Sequence, residues 1–95
     1  MTSLDLLPAV ESGECPVGVL ADALEEEGNP LAAWVRGLRV NGTTTGTWWV
    51  LDESDEFVWV PIGASRKFYV LFHPTRGEAT RCLGVMAAAR CRGEA

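Results

Sequence analysis

Between Thr47 and His73 the chain carries three apolar runs, TWWVL, FVWVPI and KFYVLFH, that fail the pattern of a sheet with one wet face. Such a sheet alternates apolar and polar residues, because successive side chains point to opposite faces. Here Trp48 and Val50 point one way, and Trp49 and Leu51 the other. Phe57 and Trp59 oppose Val58 and Val60, and Phe68, Val70 and Phe72 oppose Tyr69, Leu71 and His73. Both faces therefore need cover. The acidic stretch 52–56 joins the first run to the second, and Gly63-Ala64-Ser65-Arg66 joins the second to the third. Both connections suit hairpins, so the runs predict a three-stranded antiparallel meander within 43–74. Three or four short helices in 95 residues hardly cover two sheet faces. The second face is either closed by the last helix or used as an interface, by self-association or with another protein. Aromatic residues are enriched in such interfaces, which makes Trp48, Trp49, Phe57, Trp59 and Tyr69 the candidate partner-binding residues.

Upstream the periodicity is helical. Thr2 or Ser3 can cap LDLLPAV, but Pro8 limits a helix there to a turn or two unless the helix kinks, and ESGE reads as a linker. Pro16 suits the first position of a new helix, in which Val17, Leu20, Ala21 and Leu24 form one apolar stripe. Gly28, Asn29 and Pro30 are a helix stop, an N-cap and a helix start in succession. Leu31, Trp34, Val35 and Leu38 repeat the spacing, so 16–39 predicts an αα-hairpin. Thr75-Arg-Gly-Glu78 fits a capping box, and Ala79, Cys82, Leu83, Met86 and Ala87 give a C-terminal helix within 75–92 its stripe. The expected class is α+β, in a single domain.

The string VLADALEEEGNPLAAWVRG resembles the bacterial repeat-companion domain, a short module that precedes many leucine-rich-repeat and other variable regions. The matching positions are Ala21, Asp22, Leu24, Glu25, Glu26, Gly28, Asn29, Pro30, Ala33, Trp34, Val35 and Arg36, within about residues 17–38. Ala23 stands where that family usually has a bulky aromatic residue, and no leucine-rich repeat follows. The resemblance implies an adaptor-like module and no catalytic residues.

Charge is unevenly distributed. Residues 1–56 hold eleven acids against Arg36 and Arg39, a balance of −9, and residues 57–95 hold six bases against Glu78 and Glu94, a balance of +4. Either the halves attract one another or the basic part meets a polyanion. Glu25, Glu26 and Glu27 gather at a helix C-terminus, where the macrodipole disfavours anions. Compensation is expected from the N-terminus of the following helix and from Arg36 and Arg39. With Asp52 and Glu53 these glutamates are expected to form an acidic rim. The alternative function is nucleic-acid binding through Arg66, Lys67, Arg76 and Arg81 beside sheet aromatics. A pI near 4.7 opposes it.

Signs of chemistry are sparse. The chain has no nucleophile elbow, phosphate loop, dinucleotide fingerprint or zinc-protease helix. Cys82 and Cys91 lie nine apart with Cys15 remote, unlike the close pairs of a zinc site, and read as small buried hydrophobes. DESDE lacks the glycine and ligand alternation of a calcium loop. His73, before Pro74, reads as a structural or exposed histidine at a strand end. No enzyme activity, metal or cofactor is expected. No apolar run is long enough to span a membrane and MTSLDLLPAV lacks a basic leader region, so the expected setting is the cytoplasm.

Overall fold

The helical hairpin forms as its punctuation predicts. In α2 (Val17–Glu26), Leu20, Ala21 and Leu24 are fully buried. Gly28 ends the helix at φ +69°, a conformation that favours glycine, while the Asn29 N–H returns to the Leu24 carbonyl at 2.9 Å. The Asn29 side-chain oxygen then accepts from the Leu31 N–H at 3.0 Å and starts α3 (Leu31–Gly37). Val35 and Ala32 close the core from α3, and the Arg90 guanidinium lies 4.9 Å above the Trp34 ring. Arg36 reaches back across the hairpin to Asp22 and Glu25, at 2.7 and 2.5 Å. Most positions of the repeat-companion-like string thus cap, pack or pair within the hairpin itself.

The structure is a computed structural model describing residues 2–62 and 67–93, with 59–62 and 67–69 described by backbone alone. The expected connection 63–66, with Arg66, lies outside the described residues. The other elements are α1 (Ser3–Ser12), β1 (Arg39–Gly42), β2 (Trp48–Leu51), β3 (Trp59–Ile62), β4 (Lys67–Val70) and α4 (Arg76–Cys91).

Two sequence expectations are corrected. First, α1 runs ten residues straight through Pro8 and into the expected linker. An internal proline costs a helix about 3 kcal/mol, so something must offset it. Leu7 and Val10 are buried at 2% and 1% exposure where α1 packs on α4, and both ends are tied. The Asp5 carboxylate accepts from the Thr2 N–H and hydroxyl at 3.0 and 3.1 Å, and Gly13, at φ +86°, closes the C-terminus on Val10.

Second, the three-stranded meander does not form. β2 pairs antiparallel with β1, which lies upstream of the three predicted runs, in the register Val40 opposite Val50 and Asn41 opposite Trp49. The Thr43–Thr47 turn joins them, with Thr43 N–H to the Thr47 carbonyl at 2.9 Å and Gly46 at φ +89°. Among the described residues β3 pairs with β4 alone, Trp59 opposite Val70. The two ladders meet at isolated bridges, Leu51 with Phe57 and Trp48 with His73. β2 has two edges; β1 occupies one along its length, and the two legs of the β3–β4 hairpin touch the ends of the other.

α4 lies between the halves of the molecule, packed on α1 and on the β1–β2 pair. The Thr75 hydroxyl accepts from the Glu78 N–H at 3.1 Å, one arm of the expected capping box. Fully buried Ala79, Ala87 and Ala88 let neighbours approach closely. No helix among the described residues is long and apolar enough to cross a membrane.

Candidate functional site

Register assigns the two faces of β2. Val40, opposite Val50, and Val58, whose N–H bonds the Val50 carbonyl at 3.3 Å, both pack against the core. Trp48 shares that inner face with Val50. Its backbone exchanges two 2.8 Å hydrogen bonds with His73, the Arg76 guanidinium stands 5.9 Å over its ring, and the ring crosses Gly42 so closely that a Cβ there would come within 2.4 Å. Trp48 is therefore a packing residue under the end of α4.

The outer face is different. Trp49, Phe57 and Phe72 form a triangle in which each pair of ring centroids is 6.0 Å apart. The rings meet at 50°, 69° and 68°, the tilted and edge-on arrangements that aromatic quadrupoles favour. Phe57 is 43% and Phe72 57% exposed, so the cluster is assembled yet still open to solvent. Of the five aromatic candidates, Trp49 and Phe57 are brought together here and Trp48 lies on the opposite face. The side chains of Trp59 and Tyr69 lie outside the described residues. Phe72 was not among the candidates. Its alternation is visible in KFYVLFH, but its place beside Trp49 depends on the His73–Trp48 pairing, which local pattern does not encode.

The acidic residues do not act as one set. Glu25 pairs with Arg36, and Glu27 accepts from the Ser3 N–H and hydroxyl at 2.6 and 2.7 Å. The compensation for Glu27 thus comes from the N-terminus of α1, not from that of α3. In the 52–56 loop one oxygen of Asp52 accepts from the N–H groups of Ser54 and Glu56, at 2.9 and 3.1 Å. Asp55, at φ +61°, pairs with Arg39, so Arg39 serves this loop and not the helical hairpin. Glu26, Glu53 and Glu56 are exposed and make no ion pair among the described residues.

The basic residues of the alternative reading scatter. Arg76 covers Trp48, Arg81 lines a separate pocket against α1 and α2, and the Lys67 side chain lies outside the described residues. Among the described residues no three His, Cys, Asp or Glu side chains gather as they would around a metal ion. The three cysteines are free, and burial pushes the thiols of Cys82 and Cys91 above their usual range, away from reactive thiolates. The His73 Nε2 is enclosed and has no hydrogen-bond partner among the described residues. Compared with family models, curated proteins and solved structures, the chain matches none.

Proposed function

We propose that the chain is a small non-catalytic interaction module of the cytoplasm that docks another protein on the outer face of β2. The observation that carries this reading is the Trp49–Phe57–Phe72 triangle, whose two phenylalanines are exposed, on the face of β2 opposite the core. Large rigid aromatics bury much area at small entropic cost, which is why they anchor interfaces. The neighbouring loop adds a preference of charge. Glu53 and Glu56 are unpaired among the described residues and follow directly on β2, so the partner that fits presents a basic rim around an apolar centre. The resemblance of residues 17–38 to a repeat-companion domain agrees with an adaptor role. The dispersal of Arg76 and Arg81 to different neighbours favours a protein over a nucleic acid.

The test is a tagged pull-down run in parallel with wild type and Phe72→Ser, with light scattering of the purified chain. Expected is a stoichiometric protein that wild type retains and a folded Phe72→Ser loses. Retention unchanged by the substitution would overturn the reading. Retained material that absorbs at 260 nm and disappears after nuclease treatment would replace it with the nucleic-acid alternative. A dimer by light scattering would make a second copy the occupant.

A further inference from the structure

The C-terminal end of α1, the start of α2 and the first half of α4 border a half-open apolar pocket of about 380 Å³ that shares no residue with the aromatic face. Val10, Pro16, Val17 and Leu83 supply its apolar lining. That volume lies in the range of small-ligand sites, which combine an apolar wall with a few polar groups. Two glycines of α4 border it, although glycine weakens a helix. Gly84 has a packing reason, because a Cβ there would press to 2.7 Å on the Val10 carbonyl. Gly77 has no such neighbour: its φ is not positive, and a Cβ would meet nothing within 4 Å, so a larger side chain can be placed at this edge of the pocket.

The polar group is Arg81. Among the described residues Arg36, Arg39 and Arg92 are bonded to carboxylates, and Arg76 and Arg90 lie over tryptophan rings. Arg81 has neither kind of partner there, and it borders an apolar wall. We infer that this pocket binds an aliphatic chain ending in an anion, with the chain among Val10, Val17 and Leu83 and a carboxylate or phosphate head on the Arg81 guanidinium. A planar guanidinium accepts either head through paired N–H donors. Removing the aliphatic chain from water against this apolar wall supplies the rest of the attraction.

Octanoate, octyl phosphate and octanol, titrated separately into the methyl-labelled full chain, test the assignment by NMR. Expected are saturable shifts of the Val10, Val17 and Leu83 methyls, with at least one anion bound about tenfold more tightly than octanol. Arg81→Gln should abolish that preference and leave octanol binding as it was. The tighter of the two anions then identifies the head group. Gly77→Phe, placed where space is open, should fold normally and exclude all three probes. Absence of saturable shifts at these methyls, equal binding of anions and octanol, or unchanged binding by folded Gly77→Phe would each overturn the assignment.

Discussion

The Glu27 carboxylate, at the C-terminal end of α2, accepts hydrogen bonds from the N–H and the hydroxyl of Ser3, the first residue of α1. An acid that is misplaced on its own helix is thus well placed on another, because an N-terminus offers free donors and a positive dipole end. The same helix is held by Asp5 at Thr2 and by Glu11, whose carboxylate pairs with Arg92 at 2.7 Å. In each of these three ties a carboxylate accepts the hydrogen bonds.

A pH dependence follows. The Ser3 hydroxyl and N–H hold Glu27 below its ordinary 4.5, the Arg92 side chain does the same for Glu11, and the Thr2 N–H and hydroxyl hold Asp5 below 3.8. Folded values lower than unfolded ones give stability that is complete above the ordinary values and is lost as pH falls through the folded ones. Amide exchange followed from neutral pH to below 4 should show α1 losing protection before α2 and α3. Glu27→Gln should remove part of that pH response. Equal loss of protection in all three helices would count against the role given to these ties.

Two glycine substitutions in one helix should have opposite signs. Gly77→Ala adds helix propensity where space is open, and should stabilise by a few tenths to about 1 kcal/mol. Gly84→Ala gains the same propensity but drives its methyl into the Val10 carbonyl, so a net loss of about 1–3 kcal/mol is expected. Urea denaturation of the pair measures both, and like signs would refute the close α1–α4 crossing.

Leu24, 1% exposed in the centre of the core, should be costly to truncate. Leu24→Ala is expected to lose about 2–5 kcal/mol, against a total near 5–15 kcal/mol for a domain. Leu4→Ala, at a residue 64% exposed, should stay within about 0.5 kcal/mol of wild type in the same assay.

The neighbouring tryptophans should separate folding from binding. Trp48→Ala removes a ring packed over Gly42 and beneath Arg76, and should lower Tm by several degrees. Phe72→Ser, on the face Trp49 occupies, should move Tm by less than about 4 °C, since its ring is more than half exposed. Differential scanning of both variants beside wild type decides it.

Burial of Cys82 and Cys91 predicts slow alkylation. Both thiols are pushed above their ordinary 9.0, so at a pH near 8 they should react more slowly than glutathione, and at its rate once guanidinium unfolds the chain. Mass spectrometry of timed samples gives the rates.

What can be read without the fold is what depends on residues within a turn or two of one another. Gly28 in a left-handed conformation, Asn29 capping Leu31 and Thr75 capping Glu78 are all local matters, as are the stripes Leu20–Leu24 and Leu83–Met86. The sequence by itself therefore determined the helical hairpin, the C-terminal helix and the opposed directions of Trp48 and Trp49. Tertiary structure decided which edge of β2 would be taken and which face would keep an aromatic cluster open to solvent. Runs that are apolar in both alternations make alternative pairings look equally good, and the short β1–β2 turn favours Val40 beside Val50 because it closes a smaller loop than pairing with a later strand would. It also decided that α1 would continue through Pro8, because burial of Leu7 and Val10 on α4 outweighs a missing backbone bond. The aromatic triangle was settled the same way. Phe72 reaches Trp49 only because His73 bridges Trp48 across 25 positions of chain, and no local preference carries information over that distance.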